Sequence, residues 1–204
     1  MNSRVDVAVL ARAPTPGMAK TRLIPALGAE AAARLHRRLV IRSLGTACAA
    51  RLGGSVTLWG TPSLSHRFFR ALGKRGVSCR EQPSGDLGVR MQYALACSLP
   101  RPVLLIGTDC PGMTAGHLRA AARSLIEGKD AVILPAEDGG YVLIGLRSAA
   151  HASLFDGVPW GTSQVMEATR QRLRQLRYAW AEPAMLWDVD TPADLARLSG
   201  TGLI

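Results

Sequence analysis

At 204 residues, with 48% apolar and 20% charged side chains, the chain is long enough to bury one sizeable core and reads as one folded domain over residues 1–204, not as a disordered or fibrous chain. Its formal net charge of +10 raises nucleic acid as a partner, yet the basic residues are spread along helical stretches (Arg34, Arg37, Arg38, Arg42; Arg170, Arg172, Arg174, Arg177) and aromatics are only 5%, too few for base-stacking platforms. Apolar runs are too short to span a bilayer, and Cys48, Cys79, Cys97 and Cys110 form no C-x-x-C pair and share no ligand spacing with the four histidines, so no membrane span, disulfide framework or zinc site is expected.

In chain order, Val5–Ala11 reads as a strand, Glu30–Arg51 as a helix, Ser55–Trp59 as a strand, Leu64–Lys74 as a helix and Val77–Glu81 as a strand. Leu87–Ser98 has a helical pattern, followed by a strand at Val103–Gly107, a helix at Ala115–Glu127 that Thr114 can cap, and a strand at Ala131–Leu134. Tyr141–Leu146 is a further strand able to reverse direction, Thr162–Gln175 a helix, Tyr178–Ala181 an edge strand and Thr191–Leu198 a closing helix. The run from Val7 to Ala11 is too short for a secretion signal, which points to the cytoplasm. Alternating elements with nearly all-apolar strands imply an α/β fold: three layers, helices on both faces of a mainly parallel, mixed sheet.

Ligands of such sheets bind beyond the carboxyl ends of the strands. The segments to inspect are therefore Arg12–Arg22, Ser84–Arg90, Thr108–Pro111 and Glu137–Gly140. The first, "LARAPTPGMAKTRL", carries a Lys-Thr pair but is not a P-loop. Counting back from Lys20, the required glycines are Ala19 and Pro14, while Pro14 and Pro16 lack the N–H groups of a phosphate nest, and Pro25 is expected to break a helix started at Lys20. What remains is a turn with one permissive Gly17 that brings Arg12, Lys20 and Arg22 to the mouth of the sheet, a set suited to a diphosphate or triphosphate; the competing reading is a proline-stiffened connector with solvated charges.

Asp109 follows an apolar strand in "PVLLIGTDCPGM", a place where a carboxylate can share Mg²⁺ or Mn²⁺ with substrate phosphates, or simply make a turn. In "LWDVDTPADLARL", Thr191, Pro192 and Asp194 fit helix-start chemistry, which leaves Asp188 and Asp190. Separated by Val189, both would face one way in extended chain, and like charges side by side call for a shared cation. Asp188 with Asp109 completes such a site if the chain end folds back over the mouth. Glu137, Asp138, Gly139 and Gly140 stand after the fifth strand, where paired glycines permit close approach to a ligand or a tight turn. Asp86 and Arg90 can hold a sugar hydroxyl and a phosphate, or start a helix; Trp160 can stack on a sugar or base, or pack in the core.

Residues 7–23, 85–91, 106–111, 135–146, 158–163 and 187–195 together resemble the signature blocks of the DUF2064 family, also described as transferase 1, rSAM/selenodomain-associated, a group of cofactor-guanylyltransferase-like glycosyltransferases. The resemblance spans almost the whole chain and implies the GT-A, or nucleotide-diphospho-sugar transferase, fold. It implies a nucleotide sugar or NTP and a small-molecule acceptor as partners and leaves a homo-oligomer open, while the charge distribution and run lengths above speak against nucleic acid and membrane as partners. By it, Ala11 and Arg12 border base and ribose, Lys20 and Arg22 the phosphates, Asp109 the metal, and Asp138, Gly139 and Gly140 the acceptor. GT-A glycosyltransferases usually carry D-x-D after the fourth strand, whereas Thr108-Asp109-Cys110 has one carboxylate, a departure that leans towards the nucleotidyltransferase branch. Glycosyl transfer and nucleotidyl transfer, and a non-catalytic nucleotide-binding module, all stay open at this point.

Overall fold

The architecture is that of a computed structural model, which describes residues 4–200 and Gly202. The elements are β1 (Val5–Arg12), α1 (Ile24–Leu27), α2 (Ala29–Ala50), β2 (Gly53–Thr61), α3 (Arg67–Lys74), β3 (Ser78–Glu81) and α4 (Leu87–Ala96). There follow β4 (Val103–Ile106), α5 (Ala115–Ile126), β5 (Ala131–Pro135), β6 (Tyr141–Leu146), α6 (Val165–Gln175), β7 (Trp180–Ala181) and α7 (Pro192–Ser199).

One seven-stranded sheet runs in the order β3-β2-β1-β4-β6-β5-β7. Every pair is parallel except those of β6, which lies antiparallel between β4 and β5. This is the strand expected to reverse, and β7 is the expected edge. The chain lays β2 and β3 on one side of β1 and then crosses to place β4 on the other, so a topological switch point opens between β1 and β4.

Period-two alternation assigns the two faces. Val5, Val7 and Val9 of β1 pack with Val40 and Leu44 of α2 and with Leu118 and Leu125 of α5. Ala8, together with Leu105 and Ile133, meets Met91 and Leu95 of α4 and Met166 and Leu173 of α6 on the opposite face. A third, small cluster of Leu23, Ala32, Trp187, Val189 and Leu198 ties the loop after β1 to the start of α2 and to the chain end.

Several boundaries differ from the sequence reading for local reasons. The third helix starts at Arg67, not Leu64, because the His66 ring accepts from the Phe68 N–H and caps it. The sixth starts at Val165, not Thr162, since the Thr162 hydroxyl donates to the Pro159 carbonyl and accepts from the Gln164 N–H, which favours a turn. No α-helix runs from Lys20 through Pro25, which instead sits in the first turn of α1, where its missing N–H has no partner to lose. Lys20 precedes a 3₁₀ turn over Thr21–Leu23.

At the amino ends of the strands, Asp6 is 2% exposed. Its carboxylate accepts from the Ser55 N–H at 2.7 Å and from Arg101 Nε at 3.0 Å. Asp6→Ala takes a charged acceptor from the Ser55 amide and the Arg101 guanidinium together, so we expect it to cost about 1–3 kcal/mol in urea unfolding without altering turnover per folded molecule.

Candidate active site at the switch point

The loop after β1 is held by short backbone bonds: Ala13 N–H donates to Thr61 O, and the Met18 and Ala19 N–H groups donate to Thr15 O. Gly17 is exposed at φ +80, with open space where a side chain would stand. Lys20 itself adopts the left-handed region, φ 50, a conformation that costs a non-glycine residue of order 1 kcal/mol and needs compensation. The compensation is visible. Its side chain is 5% exposed, and Nζ reaches Asp109 Oδ1 at 2.8 Å, Asp190 Oδ1 at 2.8 Å and the Val189 carbonyl at 2.6 Å, so three donors meet three acceptors.

Residues 89 and 81 positions apart thus meet at one ammonium, across the gap between β1, β4 and the chain end. The chain end does fold over the mouth: Leu186 N–H donates to Pro135 O, Glu137 N–H to Leu186 O and Val189 N–H to Asp109 O. Val189 is fully buried, which leaves Asp188 and Asp190 half-exposed. Beyond Asp190, the Asp194 carboxylate accepts from the Asp190 and Thr191 N–H groups, the helix-start chemistry expected there.

The electrostatics follow from this crowding. Burial works against the Lys20 charge, but Asp109 and Asp190 outweigh it and hold the ammonium above its ordinary pKa. Burial likewise works against the Asp109 charge, and Lys20 and His36 overcome it, keeping that carboxyl below the usual range. Asp188 is the opposite case. Burial first, then the neighbouring carboxylates Asp138, Asp190 and Asp109, push it up to about 6. It has no hydrogen bond or ion pair among the described residues.

Two clefts open here. One of about 330 Å³ is lined by Arg12, Lys20, Arg22, His36, Asp109 and Asp190; the other, about 170 Å³, by Arg12, Thr15, Thr61 and Arg90, with Arg12 and Met18 shared between them. Arg22 is 68% exposed and lies 3.8 Å from Asp190. Ala11 is buried in β1, its carbonyl accepts from Gln82, and it lines neither cleft. Asp86 caps α4 through the Val89 N–H, and Arg90 Nε donates to Gly85 O, so that segment does start a helix while Arg90 still faces the smaller cleft. Asp138 accepts from the Gly140 N–H. At Gly139, φ +91, an added Cβ would run into the Ser163 backbone, so this glycine serves a close chain approach, whereas a Cβ at Gly140 would meet only the Asp138 carboxylate. Glu137 is engaged elsewhere, gripped by both terminal nitrogens of Arg197 at 2.6 and 3.1 Å. Trp160 is half-buried, edge-on to Tyr141 and against Phe155, a packed ring that lines neither cleft.

The sequence reading missed two residues. His36 lies buried on α2; Nε2 faces the Arg12 carbonyl at 3.0 Å, while Nδ1 has no hydrogen-bond partner and stands 3.8 Å from Asp109. Burial holds the ring below its ordinary pKa, with Asp109 pulling the other way. Its signal was a polar ring on the buried Ala32–Leu39–Val40 stripe of α2. Gln82, immediately after β3, donates Nε2 to Ala11 O at 3.2 Å and Trp59 O at 2.7 Å, bracing the rim strands.

Among the described residues no three His, Cys, Asp or Glu side chains stand together as a ready metal cage. The arrangement does suit an ion held by one or two carboxylates plus substrate oxygens, the usual manner of Mg²⁺. Asp188, crowded by acids and without a cation of its own, is the observation that fits such a group. No helix among the described residues is long and apolar enough to cross a membrane.

The family described as "Uncharacterized protein conserved in bacteria (DUF2064)" matches residues 44–162. A proposed nucleotide-diphospho-sugar transferase from Desulfovibrio desulfuricans G20 is similar at 30% identity, over 98% of this chain and 89% of that one, with a TM-score of 0.86. CMP:2-keto-3-deoxy-manno-octonic acid synthetase complexed with CTP shares the fold at 10% identity and TM-score 0.63, covering 97% and 98% of the two chains. Rv0371c of Mycobacterium tuberculosis in complex with manganese does so at 18% and 0.57, covering 98% and 100%. No curated protein matches the sequence.

Proposed function

The chain belongs to the DUF2064 family and has the fold of nucleotide-using transferases, and from that premise we propose that it is a divalent-metal-dependent enzyme transferring a glycosyl group from a nucleotide sugar. The observation that carries this reading is the meeting of Lys20, Asp109 and Asp190 at the switch point, beside Asp188 and the Arg12–Arg22 rim. Asp109 with Asp188, or with Asp190, would hold Mg²⁺ or Mn²⁺, which when bound supplies charge neutralisation to the donor diphosphate. Arg12 lines both clefts and would orient the nucleotide. Lys20 and Arg22 stabilise negative charge as it builds on the leaving phosphate. Asp138 orients the acceptor hydroxyl or takes its proton as the acceptor oxygen attacks the anomeric carbon, with nucleoside diphosphate departing on the electron pair of the broken C–O bond.

A second reading, nucleotidyl transfer with pyrophosphate as leaving group, is favoured by one specific feature. Thr108-Asp109-Cys110 has a single carboxylate in place of D-x-D, and a lysine from the first loop pairs with it. Incubating the protein and Mn²⁺ with nucleotide sugars and, separately, with NTPs distinguishes the two. We expect nucleoside diphosphate from a nucleotide sugar; pyrophosphate from an NTP would transfer the assignment to the second reading. Metal-independent nucleotide binding with no product from either donor would reduce the chain to a binding module.

A further inference from the structure

At the opposite end of the sheet, where β1 and β2 begin, a cleft of about 470 Å³ lies between the start of β1, the α2–β2 connection and α5. Arg4, Arg51, Arg119 and Arg123 line it, and no acidic side chain does. All four are exposed, and none has an ion pair among the described residues. Its floor is apolar, with buried Val5 and Ala122, and one wall is the half-exposed Ile126.

Complementing helix dipoles does not account for this gathering. Arg51 follows the end of α2 and Arg123 stands in the last turn of α5, where cations are favourable. Arg119 lies in the first half of α5 and Arg4 just before β1, neither of them in the last turn of a helix. Arg51 also holds a left-handed backbone, φ 51, at a position where glycine would be strain-free. Four like charges around one concavity repel one another, and a guanidinium is built to bind phosphate or carboxylate oxygens in pairs.

We propose that this cleft is a second anion site, separate from the donor site, that takes a free small molecule carrying two or more adjacent phosphate groups. The charges converge on a hollow rather than lining a strip, which matches a compact oligophosphate better than the spaced phosphates of a duplex. The site does not rest on the transferase reading, and its test involves no turnover.

Calorimetric titration of the full chain with tripolyphosphate at low salt is expected to show two sites, one at each end of the sheet. Arg119→Glu with Arg123→Glu should remove one and leave the other, whereas Arg12→Glu should do the reverse. The milder pair Arg119→Gln with Arg123→Gln, checked for an unchanged thermal midpoint, should weaken the lower site by about tenfold or more. The proposal is overturned if the folded glutamine pair titrates like the wild type. It is equally overturned if duplex DNA, at matched phosphate concentration and ionic strength, displaces tripolyphosphate from the lower site, for the surface would then belong to nucleic acid.

Discussion

Asp109→Asn is expected to lower turnover by about a hundredfold or more and to abolish the strengthening of nucleotide binding by Mn²⁺, while leaving the fold in place. The amide is isosteric and its oxygen can still accept from Lys20. Lys20 also keeps Asp190 and the Val189 carbonyl, so the loop after β1 stays docked on the chain end. Because the Asp109 side chain is 42% exposed, water softens the loss of its half of the ion pair, and the stability change should stay near about 1 kcal/mol. What the substitution removes is the negative charge that would hold the cation against the donor phosphates. Steady-state kinetics, paired with thermal unfolding and a Mn²⁺ titration in the presence of nucleotide, read both effects. Metal-dependent turnover retained by a folded Asp109→Asn protein would eliminate the mechanism proposed above.

How much of this was visible in the chain depends on the range of the interactions involved. The layers were legible because apolar periodicity is local: Val103–Gly107 and Ala131–Leu134 read as nearly all-apolar strands, and Val103–Ile106 and Ala131–Leu134 are buried strand residues while Gly107 lies exposed beyond its strand. So was the rim, since parallel strands place their functional loops at one edge. The Thr191–Asp194 helix start was readable from four consecutive residues. What no local rule could give is the partner of each charge. Asp188 and Asp190 look equivalent in "WDVDT", yet Asp190 is taken by Lys20 and Asp188 is left among carboxylates. That division depends on a loop 170 residues earlier, held under the chain end by the Leu23–Trp187–Val189 cluster. Glu137 shows the same limit, because its partner Arg197 sits on the last helix. His36 was overlooked because it stands 73 positions before Asp109 on a helix whose other buried residues read simply as core.

Asp188→Asn is expected to make the metal-free protein more stable at neutral pH and nearly inactive. In the folded chain the Asp188 carboxyl is raised from 3.8 to about 6. A group that binds its proton more tightly when folded adds stability below its unfolded pKa and loses it as pH rises through the folded one. Wild-type stability should therefore fall between roughly pH 4 and pH 6 through this residue, and the asparagine variant should lack that fall. A shift of this size would correspond to about 3 kcal/mol for a fully sequestered group. Asp188 is partly solvated, and we expect about 1 kcal/mol after screening. Urea unfolding at pH 4 and pH 7.5 measures it: the two proteins should be closely matched at the lower pH and separate at the higher. Mn²⁺ with a nucleotide should stabilise the wild type more than the variant, because the ion would relieve the repulsion from Asp138, Asp190 and Asp109 that only a carboxylate feels. A variant no more stable than wild type at pH 7.5, yet equally stabilised by Mn²⁺ and nucleotide, would mean that Asp188 neither suffers from its neighbours nor holds the ion, and the cation would have to be sought at Asp109 and Asp190 alone.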